Sequence, residues 1–132
     1  MNNVIGVDIG GTKIRMGVID AEGRILAERQ VKTQFPLYPY LEHQVLQFLE
    51  EHPTVSAIGI GTHGFVDPKA GSIVFAGDML PGWTGTEVKS PLEKATGRPV
   101  EVENDANCAA LAEAKFGAAR GLGRVVCITL GT

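Results

Sequence analysis

The first thirty residues alternate between apolar and polar positions in a pattern that predicts three β-strands. After a first apolar run and a glycine turn, Ile14, Met16 and Val18 recur at every second position. This spacing is typical of a strand with one buried face. A turn at 21–23 then introduces a third strand over 24–31. Because such short turns join neighbouring strands, the three strands are expected to pair antiparallel.

The remainder of the chain alternates predicted helices with predicted strands. Gly97 and Pro99 mark the end of one helix, and Asn104 or Asp105 caps the next. Strands that follow helices favour parallel pairing, so the order of elements predicts an α/β fold with a mixed sheet, similar to the ribonuclease-H-like core. The predicted helices cover 40–51, 87–96 and about 105–116, and the predicted strands cover 55–61, 73–75, 100–103 and 124–130.

Composition and charge exclude several classes of protein. The 132 residues suffice for one folded domain, and 44% hydrophobic with 20% charged residues argues against disorder. A net charge of −3 argues against a generally basic nucleic-acid-binding surface. No stretch predicts a membrane span or a signal peptide. Cys108 and Cys127 lack metal-binding spacing, so both are expected to be buried free thiols of a cytoplasmic protein.

The glycine turn after the first strand carries the clearest candidate chemistry. Gly10 and Gly11 permit positive φ and remove the Cβ atoms that would keep a bulky anion away. The backbone N–H groups of Gly10, Gly11, Thr12 and Lys13 are predicted to converge on phosphate oxygens. Asp8, at the end of the strand, is a candidate Mg²⁺ ligand. The alternative is an ordinary hairpin with a polar tip.

Five motifs occur in the order and approximate spacing of the ROK family, which the chain resembles over essentially its whole length. That family comprises bacterial sugar kinases and related transcriptional repressors. The combination of the opening Asp-Ile-Gly-Gly-Thr-Lys with Glu-Asn-Asp-Ala-Asn is the most specific part of the resemblance. The motifs occupy 8–13, 59–67, 81–83, 103–107 and 129–132.

The resemblance implies an actin-like ATPase fold of two ribonuclease-H-like lobes, of which residues 1–132 would form the N-terminal lobe. It implies transfer of the ATP γ-phosphoryl group to a hydroxyl of a hexose or N-acetylhexosamine, with ATP and Mg²⁺ as cofactors. Neither a nucleic-acid nor a membrane partner is expected, and a homodimeric parent is compatible with the family.

The resemblance also assigns roles to residues of the sugar site. Asp105 is the expected catalytic base, with a helix N-cap as its alternative role. Asn104 is the expected hydrogen-bond donor to the sugar, and Gly64 lets the backbone approach the ligand. Met79 stands where glucose-type members commonly carry Asn, and the preceding Asp78 could take over the hydroxyl contacts.

Other motif residues have less specific expectations. His63 either hydrogen-bonds the substrate or is a solvated loop histidine. Trp83 either shapes the sugar pocket or anchors its loop by burial, and the anchor is favoured. Asn107 is expected to support the local turn. Gly131 and Thr132 resemble a second glycine-threonine turn that contacts phosphate.

The position of that last turn predicts that the chain is the N-terminal part of a longer protein. A structural Zn²⁺ site and an adenosine-binding lobe would then lie beyond Thr132, and the 132 residues alone would be inactive. The alternative function is a sugar-sensing repressor that lacks its DNA-binding segment. Such repressors carry a helix-turn-helix ahead of the kinase-like lobe, for which there is no room before the first strand.

Overall fold

The alternation of apolar residues in the first thirty positions produces the three predicted antiparallel strands. The computed structural model describes residues 2–130. In it, β1 spans Val4–Ile9, β2 spans Lys13–Ile19 and β3 spans Ile25–Lys32. β2 lies between β1 and β3 and pairs antiparallel with both. The apolar side chains at alternate positions of β2 are buried, as the sequence predicts.

The remaining elements add two parallel strands and three helices, which confirms the predicted α/β fold with a mixed sheet. β4 and β7 lie parallel to β1 on its other side, so the five strands have the order β3-β2-β1-β4-β7. A separate hairpin, β5–β6, leaves the sheet between β4 and the second helix. The elements are α1 Leu37–Glu51, β4 Ala57–Thr62, β5 Phe65–Asp67, β6 Ser72–Phe75, α2 Lys89–Thr96, β7 Val100–Asn104 and α3 Asp105–Phe116.

The hydrophobic core lies between one face of this sheet and the helices α1 and α2. Each of the central strands contributes alternate aliphatic side chains to that face, and both helices turn an apolar stripe toward it. Burial of this apolar surface is the main force that holds the layers together. The buried residues include Ile5, Val7, Ile9, Ile14, Met16, Val18, Leu41, Val45, Phe48, Ile58, Ile60, Leu92, Val100 and Val102.

The second face of the sheet has a row of glycines at its centre. Gly6 lies opposite Gly17 of β2 on one side and opposite Gly59 of β4 on the other, so three glycines form a row across the strands. Helix α3 lies on this face near β4 and β7, and none of its residues is buried. An open groove of about 780 Å³ therefore follows this face.

Two predicted helix boundaries differ from the structure. Helix α1 begins at Leu37 rather than at residue 40 and includes Pro39 in its first turn. Proline is tolerated there because the first backbone N–H groups of a helix have no partner within it. Helix α2 begins at Lys89 rather than at residue 87, because Glu87 forms a β-bridge with Ser72. None of the helices in residues 2–130 combines the length and apolar character needed to cross a membrane.

Two strand predictions also differ. Strand β5 is absent from the sequence prediction, which treated that stretch as a loop. The strand predicted over 124–130 is wrong: the segment is exposed, and no strand within residues 2–130 pairs with it. A strand needs a neighbour to satisfy its backbone hydrogen bonds, and apolar composition alone does not supply one. The cysteines are free, as expected, but Cys108 is half-buried and Cys127 is exposed, so the prediction of burial was wrong.

A buried carboxylate organises the turn between β2 and β3. Oδ1 of Asp20 accepts hydrogen bonds from the backbone N–H groups of Glu22 and Arg24, at 3.0 and 2.9 Å. Its Oδ2 accepts a bond of 2.8 Å from Nε of Arg24. The backbone hydrogen bond from Arg24 is the main reason that the pKa of Asp20 lies below its ordinary value of 3.8.

We expect Asp20→Asn to lower the melting temperature at neutral pH. An amide supplies only one acceptor oxygen. Either the two backbone N–H groups or Nε of Arg24 would therefore face an NH₂ group instead of an oxygen. Because the folded-state pKa is depressed, the carboxylate stabilises the fold above pH 3.8 and loses this effect as the pH falls through the folded pKa. Thermal melts of both proteins at neutral and acidic pH should therefore converge in acid. An equal deficit at both pH values would contradict this, and Asp78→Asn, at an exposed aspartate, is the control.

Candidate active site

The carboxyl ends of the three parallel strands meet at one edge of the sheet. Ile9 at the end of β1 lies opposite Thr62 of β4, and Thr62 lies opposite Asn104 of β7. The glycine turn, the 61–64 loop and the N-terminus of α3 consequently lie side by side. Sites in α/β sheets are commonly built at this edge, and the structure brings the motifs at 8–13, 59–67 and 103–107 together there.

One residue before that edge, acidic side chains flank a glycine. Asp8 of β1 and Glu103 of β7 lie on either side of Gly61 of β4. A Cβ atom on Gly61 would lie 3.3 Å from Sγ of Cys108 and 3.8 Å from Cα of Asp105. Glycine at this position therefore lets the first turn of α3 lie close against the sheet, with Asp8 and Asp105 both lining the groove.

Asn104 joins the two loops of the candidate sugar site. Its Nδ2 donates a hydrogen bond of 2.7 Å to the carbonyl oxygen of Gly64. Its Oδ1 accepts hydrogen bonds from the backbone N–H groups of Ala106 and Asn107, at 3.0 and 3.3 Å. Asn104 is thus the N-cap of α3, which decides between the two capping residues that the sequence allowed. The second N–H of its amide can still donate to a ligand.

Asp105 is the first residue of α3 and is half-buried. Its Oδ1 accepts a hydrogen bond of 2.8 Å from the N–H of Ala106, while Asn104 carries the N-cap. A carboxylate at this end of a helix is favoured by the helix dipole. The other carboxylate oxygen takes no bond from the described residues, so it can receive a proton from a ligand.

The surroundings of Asp8 change the pKa of its carboxyl group. Desolvation by the surrounding strands raises the pKa of Asp8 above its ordinary value of 3.8, and the negative charge of Asp105 raises it further. Arg15 and Lys13 lower it in part. Within residues 2–130 there is no group of three or more His, Cys, Asp or Glu side chains placed to hold a metal. A pair of neighbouring carboxylates nevertheless fits Mg²⁺, which typically uses one or two protein carboxylates together with substrate phosphates.

Two hydrogen bonds from Thr33, a residue outside the sequence motifs, stabilise the glycine turn. Thr33 donates through its Oγ1 to the carbonyl of Gly10, at 2.8 Å, and through its N–H to the carbonyl of Thr12, at 3.0 Å. The N–H groups of Gly11 and Thr12 find no acceptor in the described part of the chain. The signal that could have found Thr33 is the register of β2 against β3. Lys13 pairs with Lys32 in that register, so the next residue, Thr33, lies beside the turn.

One of the predicted phosphate donors requires correction. The N–H of Gly10 donates to the carbonyl of Lys13 within the turn, at 3.0 Å, and is not available to an anion. The convergent donors are therefore fewer than the four that the sequence suggested. Gly11 has a further reason to lack a side chain, because a Cβ atom there would lie 3.1 Å from Cε of Met79.

Asp78 is exposed, and the structure gives it no hydrogen bond to the described residues.

The 61–64 loop is anchored by a buried indole. Trp83 is 1% exposed, and its Nε1 donates a hydrogen bond of 3.0 Å to Oγ1 of Thr62. Trp83 therefore anchors its loop.

The N–H of His63 donates to the carbonyl of Ile9 at 3.4 Å, and its half-buried side chain leaves both expected roles open. Asn107 supports the turn by donating from Nδ2 to Glu103, at 3.1 Å. Gly131 and Thr132 lie outside the described residues.

Comparison with known proteins assigns this arrangement to a family. The sequence profile described as "ROK family" matches residues 4–132. The chain is 43% identical to a glucokinase of Streptomyces coelicolor over 136 residues and 35% identical to a β-glucoside kinase of Listeria monocytogenes over 129 residues. A ROK family glucokinase from Streptomyces griseus, solved in complex with glucose and AMPPNP, superposes with a TM-score of 0.79 at 42% identity, over 91% of this chain.

The chain spans less than half the length of these relatives. The alignments cover 100% and 98% of this chain but 42% and 44% of the two curated proteins. The superposition covers 38% of the solved glucokinase. The likeness therefore concerns the sequence and fold of one part of each relative.

We expect Asp8→Asn to raise the melting temperature at neutral pH. Because the pKa of Asp8 is raised in the folded protein, protonation favours folding, and the ionised carboxylate costs stability at neutral pH. The gain should shrink as the pH falls through the folded pKa toward 3.8, where the wild-type group becomes neutral. Thermal melts across this range measure it, with Asp78→Asn as the control. A variant that is less stable than wild type at neutral pH would contradict the assignment.

Proposed function

Because this chain belongs to the ROK family, we propose that it forms the N-terminal lobe, residues 1–132, of a two-lobe ATP-dependent sugar kinase. The kinase would transfer the γ-phosphoryl group of ATP to a hydroxyl of a hexose. The names of the curated relatives and the shared fold support this proposal. They also favour it over the sugar-sensing repressor that the sequence alone left as an alternative.

The observation that carries the proposal is that Asp105 and the glycine turn lie at the same edge of the sheet. The first turn of α3 packs on Gly61, and Asp8 lies opposite Gly61 on the neighbouring strand. A candidate base and a candidate phosphate-binding turn thus share one edge of the sheet. Phosphoryl transfer needs this juxtaposition, since the protein acts mainly by positioning and electrostatic stabilisation.

In this proposal Asp105 takes the proton of the sugar hydroxyl. A hydroxyl is a weak nucleophile until a base within hydrogen-bond reach can accept its proton. Asn104 holds the Gly64 carbonyl on one side and the N-terminus of α3 on the other, so it orients the base relative to the 61–64 loop. The second N–H of the Asn104 amide would donate to the sugar. Gly64 would let the ligand approach the loop, and Asp78 is the candidate for a further hydroxyl contact.

The phosphates of ATP would be held by the glycine turn. The unpaired N–H groups of Gly11 and Thr12, with the charge of Lys13, suit an anion. Gly10 would serve by lacking a side chain, and Gly131 and Thr132 would complete the phosphate site. Mg²⁺, held by Asp8 together with the phosphates, would neutralise their charge. A structural Zn²⁺ would belong to the second lobe.

The substrate of the kinase is proposed to be glucose or a glucose derivative. Two of the similar proteins are named glucokinase and β-glucoside kinase, which supports the gluco configuration for this chain. An N-acetylhexosamine, which the sequence also allowed, remains the second candidate substrate. The assembly of the parent is proposed to be a homodimer without nucleic-acid or membrane partners, in the cytoplasm.

The proposal is tested by Asp105→Asn in the two-lobe protein. An amide cannot accept the hydroxyl proton, and general base catalysis typically contributes about 10²–10⁴-fold, so kcat should fall by roughly that factor. The fold should be little affected, because Asn104 rather than Asp105 provides the N-cap. The measurements are kcat with glucose and ATP, and a thermal melt. Glu50→Gln, at an exposed carboxylate on α1, serves as the matched control, and an unchanged kcat in Asp105→Asn would require a different base.

We expect the 132-residue chain alone to show no sugar-dependent ATP turnover. Its relatives are more than twice as long, and closure between two lobes is what excludes water from such a site. A coupled assay with a panel of hexoses, compared with a blank that lacks sugar, measures this directly. Turnover clearly above the blank would show that one lobe suffices for catalysis.

A further inference from the structure

The pairing of β2 with β3 continues for one residue beyond both strands, into the glycine turn. Lys13 pairs with Lys32 in the register of the two strands, so the next pair consists of Thr12 and Thr33. The N–H of Thr33 donates to the carbonyl of Thr12 at 3.0 Å. A regular hydrogen-bonded pair of antiparallel residues exchanges two bonds. The second bond, from the N–H of Thr12 to the carbonyl of Thr33, is not formed within residues 2–130.

The side chain of Thr33 satisfies a second carbonyl of the turn. Its Oγ1 donates to the carbonyl of Gly10 at 2.8 Å. Gly10 donates from its own N–H to the carbonyl of Lys13, at 3.0 Å. Both polar backbone groups of Gly10 are therefore fixed, one by the turn itself and one by a neighbouring strand.

The bond to the Gly10 carbonyl also fixes the direction of the next N–H group. The peptide bond between Gly10 and Gly11 is trans. In a trans peptide the C=O and N–H groups lie in one plane and point in opposite directions. The N–H of Gly11 therefore points away from Thr33, and it has no acceptor in the part of the chain that the structure describes. A backbone N–H held in this way is suited to bind an anion.

We propose that Thr33 is a positioning residue for the phosphate groups of ATP, whose hydroxyl fixes the Gly10–Gly11 peptide so that the Gly11 N–H donates to the nucleotide. This inference rests on the proposed function and adds to it a residue from outside the sequence motifs. Thr33 is 7% exposed, and its hydroxyl proton is engaged with Gly10. It therefore acts through the turn and does not contact the phosphates itself.

The contacts of Thr33 predict an effect on ATP and not on the sugar. Its hydroxyl and its N–H both donate to the turn between β1 and β2. The candidate sugar site is held by other contacts, chiefly the bond from Asn104 to Gly64 and the cap on α3. Loss of the Thr33 hydroxyl should consequently loosen the phosphate site and leave the sugar site in place.

The test compares Thr33→Val with Thr33→Ser in the two-lobe protein, assayed with glucose and MgATP. Valine keeps the shape and the backbone N–H of threonine without the hydroxyl, whereas serine retains the hydroxyl. Without that hydrogen bond only a fraction of the molecules hold the turn in the binding orientation, so we expect Thr33→Val to raise KM for ATP about tenfold. KM for glucose should stay unchanged, and Thr33→Ser should keep KM for ATP near the wild-type value. Calorimetric titration with MgATP should show the same loss of affinity, which separates binding from chemistry.

Thr96→Val is the matched control. Thr96 is 8% exposed, and its hydroxyl donates to the carbonyl of Leu92 within α2, at 2.7 Å. The two Val variants thus remove the same kind of buried hydrogen bond, one at the glycine turn and one away from it. Thermal melts should show that both variants lose stability, while only Thr33→Val changes KM for ATP. Thr33→Ala is a second deletion of the hydroxyl and should raise KM for ATP as Thr33→Val does.

An unchanged KM for ATP in Thr33→Val, or equal increases in KM for ATP and for glucose, would overturn the inference and make Thr33 a residue of the fold alone. Equal behaviour of the Val and Ser variants would also overturn it, as would failure of both the Val and the Ala variants to fold. If the wild-type protein bound MgATP without phosphorylating glucose, the proposed function would be wrong, and the calorimetric comparison would still decide the role of Thr33. A wild-type protein that does not bind MgATP would contradict both.

Discussion

The arrangement of the site depends on the side chain of one asparagine. Through three hydrogen bonds Asn104 caps α3 and fastens the Gly64 carbonyl to the same point. An aspartate in its place could still cap the helix, but it would have no N–H to donate to Gly64. An amide is therefore the group that satisfies both neighbours at once. Asp105 is the next residue and begins α3, so the contacts of Asn104 also fix the position of the Asp105 backbone.

The glycine turn obeys a similar constraint with a different donor. Thr33 donates to the carbonyls of Gly10 and Thr12, so these carbonyls are already paired, whereas the N–H groups of Gly11 and Thr12 have no acceptor within residues 2–130. The hydroxyl of Thr33 donates to the carbonyl of Gly10. In an ordinary tight turn, that carbonyl would accept from the backbone N–H three residues later. The end of β3 thus contributes to a site whose recognisable motif lies entirely between β1 and β2.

Much of the fold and of the candidate site could be predicted from the sequence. Alternation of apolar residues indicated the first three strands, and the parallel strands placed the motifs at one edge. Local patterns could not reveal interactions that depend on register or on a partner. Thr33 resembles any residue that ends a strand, and the apolar segment 124–130 lacks the partner that a strand requires. Strand β5 was missed because Gly64 and Pro68 at its ends resemble a continuous loop.

The row formed by Gly17, Gly6 and Gly59 has a consequence for the shape of the groove. The three glycines lie side by side in register across β2, β1 and β4 and line the groove. A side chain would have to displace its neighbours there, since a Cβ atom on Gly6 would lie 2.9 Å from Cδ1 of Ile19. The floor of the groove is therefore bare backbone, which a ligand or another segment of chain can approach more closely than it could approach any side chain.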